Sequence, residues 1–348
     1  MEKSIGDYSL PPVSIIIVNY NGYKWLKLFI QHLLRTNYPN FEIIVVDNAS
    51  SDQSVQFLRN EFRQIRIIEL TENKGFAEGT NIGAKKATGK ILAFLNNDIE
   101  VSNNWLFKAV TKLLSCDDAG AVQCKMMQYN DRNRIEAIGI LVDRFAILRN
   151  IGYDEYDTGQ YDNVSEIGAA SGGAMILWKH IFCEVGQFDP LYFMYYEDID
   201  LSWRIRLAGY RILPCVSSLV YHIGSGTSKR SSQSFITFHW TKNYLSCWLK
   251  NSSLKAIFLH WPVIVFYILG QSLFAAINGQ PRVALSHFRA TSWSFRHLRY
   301  IVRERKKVRS FKRKQGAVDN ILFITGIVKD SSNLSYMMGR ALRSLSRL

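Results

Sequence analysis

The sequence predicts an α/β fold built on a parallel sheet, and two features of its first hundred residues support this. Short apolar runs typical of buried strands alternate with segments whose apolar residues recur at helical spacing. Each predicted strand also ends in a polar cluster. Strands that alternate with helices form parallel sheets with right-handed crossovers, so their carboxyl ends share one edge. Ligands of such sheets bind beyond that edge.

Four strands are predicted in this region, each apolar and too short for a helix. They cover Val13 to Val18, Phe41 to Val46, Ile65 to Leu70 and Ile91 to Leu95. Helices are predicted over Tyr23 to Arg35, over Gln53 to Phe62, and through Ala87. The polar strand ends are Asn19 to Gly22, Asp47 to Asp52, Asn73 to Phe76 and Asn96 to Asp98. Their convergence on one edge predicts a nucleotide-type ligand there.

Three segments of the second half add further candidate site residues. Ser171 to Ala174 is a small-residue turn that leads into a strand, and Phe193 to Asp200 is an aromatic and acidic run that opens a helix. A third strand-like segment, Arg211 to Val216, leads to His222. These segments predict that the second half completes the site.

Composition divides the chain into two parts. The whole chain of 348 residues has a formal net charge of +14. Residues 1–240 are close to neutral, at −2, whereas residues 241–348 carry 19 Lys and Arg against 3 Asp and Glu. The five cysteines have no metal or redox spacing, and the N-terminus has no apolar run long enough for a signal peptide, so a cytoplasmic setting is expected. The chain contains neither Gly-x-Gly-x-x-Gly nor Gly-Lys-Ser/Thr, which argues against a dinucleotide site or a P-loop.

The strand ends of the first half offer four residues for a nucleotide and a metal. Asp98 follows the fourth strand, and a carboxylate among amides suits Mg²⁺ or Mn²⁺. Asp47 is placed to accept from a base imide or ribose hydroxyls, although capping the next helix is an equal alternative. Lys74 beside Gly75 offers a cation and a permissive backbone to a diphosphate, whereas a plain turn is the structural alternative.

The second half offers a base, an acceptor contact and a metal ligand. Crowded acids raise one another's pKa, which makes Asp198 the candidate general base, while the helix macrodipole alone also explains acids at this position. Ser171 and Gly172 leave room for an acceptor sugar, with a β-bulge as the alternative. His222 becomes a metal ligand if it lies near Asp98, and is otherwise a structural histidine.

The order of these motifs resembles one enzyme family. The series comprises residues 13–21, 45–52, 73–76, 95–98, 171–174 and 197–200. It is similar to the motif series of inverting family-2 glycosyltransferases of the GT-A fold, particularly the bacterial rhamnosyltransferase-like branch. The likeness covers about residues 12–225. It implies a Rossmann-like, mostly parallel sheet with helices on both faces, and transfer of a sugar in a single displacement.

The resemblance also implies roles for individual residues. Nucleoside contacts fall on Tyr20, Asn21 and Asp47, and the nucleotide sugar lies along Lys74 to Asn81, which includes Gly75. Asn96, Asn97 and Asp98 stand in place of the family's Asp-x-Asp, with Asp98 on the metal and the diphosphate. Asp198 deprotonates the acceptor, Glu197 positions it, and His222 completes the metal shell. Asn96 occupies a position where many relatives have Asp, which lowers the expected affinity for Mg²⁺ or Mn²⁺.

The basic second part predicts an association with membranes. Residues 256–281 contain no charged side chain, and Ile257 to Ile277 is long enough to span a bilayer. Pro262 and the break at residues 270–272 favour a segment that lies in the interface. Arg296 to Lys314 holds ten Lys and Arg, which suits an anionic lipid surface. A nucleic-acid-binding module and an ordinary helical cap with a buried core are the alternatives, and no nucleic-acid motif is present.

Together these features predict a GT-A catalytic domain over residues 1–240 and a helical membrane-association region over residues 241–348. The expected protein works at the cytoplasmic face of the cell membrane. It transfers a sugar, with rhamnose as one candidate, from a nucleoside-diphosphate sugar to a lipid-linked saccharide in cell-surface polysaccharide assembly. Two alternatives stay open: a GT-A transferase with a soluble acceptor and an oligomeric tail, and a non-catalytic protein that binds lipid or nucleic acid.

Overall fold

A nine-stranded mixed sheet lies at the centre of the computed structural model, which describes residues 10–143, 145–224 and 231–311. The strands of this sheet are β1 (Val13–Asn19), β2 (Phe41–Asp47), β3 (Arg66–Glu69), β4 (Ile91–Asn96), β5 (Ile99–Val101), β6 (Ala119–Gln128), β7 (Ile135–Ala137), β10 (Ala174–Trp178) and β11 (Arg211–His222). Their order is β3-β2-β1-β4-β10-β6-β11-β5, and β7 pairs with β6. A separate pair is formed by β8 (Ile140–Val142) and β9 (Leu148–Asn150).

Ten helices surround the sheet in the described residues. They are α1 (Tyr23–Leu34), α2 (Ser54–Glu61), α3 (Gly75–Lys86), α4 (Trp105–Leu114), α5 (Lys179–Glu184), α6 (Glu197–Leu207), α7 (Gln233–Asn251), α8 (Leu254–Ile277), α9 (Pro281–Arg296) and α10 (Leu298–Ser310). The four strands and three helices expected in the first hundred residues are all present. Their ends differ from the expected positions by at most one residue.

The parallel half of the sheet brings the polar strand ends together. β1 lies between β2 and β4 and is parallel to both, with Asn19 opposite Asp47. β10 runs antiparallel to β4, so the start of β10 lies beside the end of β4. The N–H of Asn96 donates to the carbonyl of Gly173 at 3.0 Å across this junction. The second half of the chain therefore meets the same edge.

Both faces of the sheet are covered, which is the layered α/β arrangement that the sequence predicts. Alternate residues of a strand point to opposite faces. Ile15 and Ile17 of β1 join one buried cluster with side chains of α1 and α4, whereas Ile16 joins a second cluster with α3, α5 and α6. Strand residues that are buried on both faces explain the uninterrupted apolar runs in the sequence.

Helices α7, α8 and α10 pack against the sheet-containing body through a third cluster. Trp248 of α7 and Ile264 of α8 are buried in it together with Tyr196 and Trp203 of the body. The domain boundary expected between residues 240 and 241 falls inside α7, which is continuous and largely buried. The division at residue 240 stays a prediction from the charge count, and in the structure a continuous, largely buried helix crosses it. The expected basic tail also includes residues 312–348, which lie outside the described residues.

Helix α8 is the one described helix that is long and apolar enough to cross a membrane by length and composition. The hydroxyl of Ser253 caps it by accepting from the N–H of Ala256 at 3.1 Å. One side of α8 packs on α7, where the rings of Trp261 and Trp248 stack with centroids 6.1 Å apart. Most of its other large apolar side chains are exposed, including Phe258 at 88%.

Candidate donor and acceptor site

The ends of β1 and β2 form the corner expected to hold a nucleoside. The Asn19 amide donates to the carboxylate of Asp47 at 2.9 Å, and the hydroxyl of Ser50 donates to the same carboxylate at 2.6 Å. Asn21 accepts from the N–H of Ser51 at 2.7 Å, and Tyr20 is exposed. Asp47 is buried and holds this turn together, but it does not cap α2, whose first residue Ser54 donates from its N–H to Asp52 at 3.0 Å.

An amide pair joins this corner to the end of β4. Asn97 donates to the side-chain oxygen of Asn19 at 2.8 Å. Gly22 lies against this pair, and a Cβ at that position would approach both amides to 2.2 Å. The glycine is therefore required for the contact between the first and fourth strand ends.

The Asn73 to Phe76 turn lies beside the nucleoside corner. Asn48 donates from its side chain to the carbonyl of Gly75 at 2.9 Å. Lys74 is partly exposed and forms an ion pair with Glu72 at 2.9 Å. An exposed pair of this kind is weak, so the Lys74 ammonium is available to an anionic ligand.

Two residues of this segment have structural roles that sequence reasoning did not predict. Gly75 has φ of +79°, and a Cβ there would lie 2.3 Å from the carbonyl oxygen of Phe193. The close approach of Phe193 therefore requires a glycine here, and the expected contact with a diphosphate stays a prediction. Asn81 donates to the carbonyl of Phe188 at 2.8 Å and accepts from its N–H at 3.1 Å. Both ends of the buried Asn81 amide bind the same backbone, and its expected contact with the nucleotide sugar stays a prediction.

Asp98 and His222 lie together, as the resemblance implies for two metal ligands. The Nε2 atom of His222 is 3.2 Å from Oδ1 of Asp98, and both side chains are buried for the most part. The other ring nitrogen, Nδ1, is 2.7 Å from the carboxylate of Glu136 in β7. An imidazole held by a carboxylate on one side and presented to a site on the other is the usual support of a metal-binding histidine.

This set of donor atoms fits a divalent cation in an open site. A carboxylate and an imidazole supply two ligands, and Mg²⁺ and Mn²⁺ commonly take the others from phosphate and water. Within residues 10–143, 145–224 and 231–311, no three His, Cys, Asp or Glu side chains form a complete protein-only metal site. Burial lowers the pKa of His222, but hydrogen bonds to Asp98 and Glu136 raise it to about 10.

Asp198 lies at the start of α6 with its carboxylate fixed by the backbone. The N–H of Gly172 donates to Oδ2 at 3.0 Å, and the N–H of Ile199 donates to Oδ1 at 2.8 Å. Burial raises the pKa of Asp198, and the two N–H groups oppose that rise. A carboxylate with a raised pKa is a better proton acceptor, so the geometry suits a general base.

The two acids beside Asp198 differ from it and from each other. Glu197 is only 7% exposed, and burial together with the charge of Asp198 raises its pKa well above the usual range. Its expected role in positioning an acceptor stays a prediction. Asp200 is fully buried and binds Lys250 at 2.9 Å and Asn251 at 2.8 Å, both in α7. Although burial opposes it, the charges of Lys250 and Arg204 lower the pKa of Asp200.

A short series of hydrogen bonds connects the segment that carries Asp98 to Asp198 at the start of α6. Asn96, two residues before Asp98, binds Gly173, and the neighbouring Gly172 binds Asp198. Ser171 in the same turn donates from its N–H to the side chain of Gln123 at 2.5 Å. The turn that the sequence singles out as small therefore lies between the two candidate functional groups.

Sequence reasoning missed Glu136 and Gln123, which support His222 and the Ser171 turn. Glu136 lies 86 residues before its partner, and Gln123 lies 48 residues before its own. Neither residue belongs to a local motif. The Glu136 contact depends on the pairing of β6 with β7 and with β11, and the Gln123 contact depends on the pairing of β6 with β10.

Comparison with known proteins places the chain in a family. The profile of Glycosyl transferase family 2 matches residues 14–177. An uncharacterized glycosyltransferase of Haemophilus influenzae is 31% identical over 176 residues, which are 42% of this chain and 70% of that protein. The chain belongs to glycosyltransferase family 2. The match to the family profile contains the nucleoside corner, the Asn73 to Phe76 turn, Asp98 and the Ser171 turn.

A larger relative and a solved structure extend the comparison of this family 2 chain. The O-antigen biosynthesis protein RfbC of Myxococcus xanthus is 26% identical over 236 residues, and the match covers 63% of this chain and 18% of that protein. A crystal structure of GalNAc-T7 with UDP, GalNAc and Mn²⁺ superimposes with a TM-score of 0.58 at 17% identity, covering 85% of this chain and 58% of that one. This likeness confirms the GT-A fold.

Proposed function

We propose that this family 2 chain transfers a sugar, with inversion, from a nucleoside-diphosphate sugar to the hydroxyl of a lipid-linked saccharide. One observation carries the proposal. The Asp98–His222 pair and Asp198 are joined through a single turn, because Asn96 binds Gly173 and Gly172 binds Asp198. A single displacement requires two groups, a metal site that stabilises the leaving group and a general base, and here both lie at one sheet edge.

On the donor side, Asp98 and His222 would hold a divalent cation, with Glu136 fixing the imidazole ring. Such a cation supplies positive charge that stabilises a leaving diphosphate. The ammonium of Lys74 adds a second positive charge at the same edge. The corner formed by Tyr20, Asn21 and Asp47 would take the nucleoside.

On the acceptor side, Asp198 takes the proton of the attacking hydroxyl. Its orientation is fixed before the acceptor arrives, because two backbone N–H groups bind its two oxygens. The acceptor sugar would lie near Ser171 and Gly172, whose turn contacts the Asp198 carboxylate. One base suffices, since attack on the face opposite the leaving group needs no covalent intermediate and inverts the anomeric carbon.

A lipid-linked acceptor is proposed because α8 presents a continuous apolar surface. Leu254, Phe258, Phe266, Leu273 and Ile277 recur at intervals of one or two helical turns, and each is at least 62% exposed. The opposite side of α8 packs on α7. A helix fixed to the protein along one side, with an apolar opposite side, is suited to lie in the interface of a bilayer rather than to cross it.

The helices that follow add positive charge to this surface. Exposed basic side chains of α9 and α10 are Arg282, Arg289, Arg296, Arg299, Arg303, Lys306 and Lys307. Two cations of the predicted basic segment do not contribute to the positive charge offered to lipid, because Arg305 and Arg309 donate to carbonyls at the end of α7. Basic groups near an anionic leaflet gain about 1 kcal/mol each, so the exposed set supports binding at the cytoplasmic face.

We propose a class of donor sugar and, within it, one specific sugar. A hexose of the kind used in cell-surface polysaccharides is supported by the likeness to an O-antigen biosynthesis protein. Rhamnose is the specific candidate, and it rests on the order of sequence motifs described above.

Sugar transfer is tested with purified full-length protein, Mn²⁺, a panel of labelled sugar nucleotides and a lipid extract that contains lipid-linked saccharides. We expect one donor to label the organic phase, with release of nucleoside diphosphate and an inverted anomeric configuration by NMR. Label transferred only to water-soluble saccharides would support the soluble-acceptor alternative. Release of no nucleoside diphosphate from any donor would contradict the transferase assignment.

Membrane binding is expected to depend on the exposed side of α8. The double variant Phe258→Ser and Phe266→Ser should lose flotation with vesicles that contain anionic lipid, because it removes two exposed apolar side chains. Point variants leave α7 intact, in which Lys250 and Asn251 are buried.

The matched control is Leu28→Ser with Leu114→Ser, which removes two exposed apolar side chains of the catalytic body. This control should float like the wild type, and high salt should weaken flotation of both proteins. A wild-type chain that stays soluble at low salt with both anionic and neutral vesicles would refute the membrane role.

A further inference from the structure

The segment that leads into the candidate base is held in an unusual backbone conformation. Phe193, Tyr195 and Tyr196 have φ values of +64°, +69° and +66°. Residues other than glycine rarely adopt this region, and they persist in it only where surrounding contacts enforce it. Asp198 follows two residues later, so whatever holds this segment also places the carboxylate.

At Phe193, the segment is held by the first turn of α3, next to the Lys74 turn that is expected to contact the donor. The carbonyl of Phe193 accepts from the N–H of Phe76 at 2.7 Å and from the N–H of Ala77 at 3.3 Å. These two N–H groups belong to the first turn of α3, where no partner exists within the helix. The segment before Asp198 therefore also completes the helix that begins at the Lys74 turn.

The segment is also held by a single side chain of α7. The amide nitrogen of Asn243 lies 2.9 Å from the carbonyl oxygen of Tyr192, 2.7 Å from that of Met194 and 2.7 Å from that of Tyr195. Asn243 is 1% exposed, and its bond to Tyr192 is buried, whereas its bonds to Met194 and Tyr195 are partly buried. The Tyr192 carbonyl also accepts from the N–H of Met194 at 2.7 Å, so the two N–H groups of Asn243 matter most for the carbonyls of Met194 and Tyr195, and a poorly solvated acceptor left without a donor is costly.

The same helix also anchors the chain just beyond Asp198. Lys250 and Asn251, two turns further along α7, bind the carboxylate of Asp200. Asp198 is thus bracketed by two attachments to one helix, Asn243 before it and the Lys250–Asn251 pair after it. No residue of α7 is itself bonded to Asp198 in the described contacts.

We infer that Asn243 is a positioning residue for the Asp198 base, acting through the carbonyls of residues 192–195. The inference rests on the proposed transferase function and extends it to a helix that lies beyond the match to the family profile, which ends at residue 177. It predicts a specific effect on catalysis. Loss of Asn243 should lower kcat, because Asp198 loses its fixed position, while nucleotide binding at the first two strand ends is preserved.

The test compares Asn243→Leu, which keeps a similar volume without a donor, with Asn243→Ser, which keeps one hydroxyl donor. Both are assayed as full-length protein at a temperature well below their unfolding midpoints. We expect kcat to fall by about 10–100-fold in the leucine variant and by less in the serine variant, a range below that of removing a general base itself. The Kd of the nucleoside diphosphate released by the active donor, measured by calorimetry, should change less than about threefold.

The matched control is Thr241→Val, which removes a hydrogen bond of 2.9 Å between α7 and His287 of α9 without touching the segment before Asp198. It should lower stability while kcat stays near that of the wild type. Should the leucine variant not fold, the serine variant carries the same comparison.

Three outcomes are distinguishable. A selective loss of kcat supports the positioning role. An active wild type with unchanged kcat in both Asn243 variants, or with kcat and nucleotide affinity lost together, refutes the positioning role and leaves the transferase function standing. A wild type that turns over no sugar nucleotide refutes the proposed function and the positioning role with it.

Discussion

Replacement of Asp98 by alanine is expected to lower sugar transfer by at least about a hundredfold. Asp98 is the only carboxylate that follows β4 directly, and it lies 3.2 Å from His222. Loss of an outer partner of a metal ligand alone costs roughly 10–100-fold, so loss of a ligand should cost more. The measurement is kcat/KM for the donor at several Mn²⁺ concentrations. A variant with near-normal turnover in the presence of chelator would contradict the metal assignment.

A variant of Glu136 tests the same metal site, with a smaller expected effect than Asp98→Ala. Glu136→Gln keeps a similar shape but removes the charge beside Nδ1 of His222. It should weaken Mn²⁺ affinity by about 10–100-fold and leave nucleotide binding without metal unchanged. Asp131→Asn serves as the control, because that carboxylate is exposed and pairs with Arg134. An equal response of both variants to metal would assign Glu136 a purely structural role.

Replacement of Asp198 by asparagine is expected to lower kcat by about 10²–10⁴-fold, the range for removal of a general base. The shape of the side chain is retained, but only one of the backbone N–H groups of Gly172 and Ile199 still finds an oxygen, because the two bind different oxygens of the carboxylate. Donor affinity should therefore stay close to that of the wild type, since the affected step is proton removal from the acceptor. Calorimetry with the nucleoside diphosphate and initial-rate kinetics give the two values.

The pH dependence of kcat provides a second test of Asp198 as the general base. The base must be ionised, and burial raises the pKa of Asp198 above the usual value for aspartate. Activity should therefore fall on acidification at a higher pH than an exposed aspartate would give, and this acidic limb should disappear from the residual rate of Asp198→Asn. An unchanged kcat in the variant would exclude Asp198 as the base. Asp200 is a poor substitute, because Lys250 and Arg204 keep it bound and ionised.

The half of the site that follows the first four strands was predictable because its signals are local. Each strand is a short apolar run that ends in polar residues, and a parallel sheet brings such ends to one edge. Asn19, Asp47 and Asn97 do meet there. The contact of Asp98 with His222 was also expected, but it came from the family resemblance and not from spacing.

The remaining features depend on contacts between distant segments. Gly75 and Asn81 lie in the expected place, yet their partners Phe193 and Phe188 are more than 100 residues away. Their side chains and backbone are therefore engaged by protein. The charge count of the second part was misleading in the same way, because Arg305 and Arg309 face the end of α7. No local sequence pattern distinguishes an arginine that binds the protein's own backbone from one that faces solvent.

Thermal unfolding of the full-length protein with a panel of nucleoside diphosphates tests the central claim most directly, namely that the shared strand edge binds a nucleotide with a divalent cation. A ligand at a hundredfold excess over its Kd adds about 2.7 kcal/mol to the stability of the folded state. We predict that one nucleoside diphosphate raises the unfolding midpoint by a few degrees with Mn²⁺. Chelator or Asp98→Ala should reduce that shift. A midpoint that no nucleoside diphosphate changes, at millimolar concentration with Mn²⁺, would contradict the account.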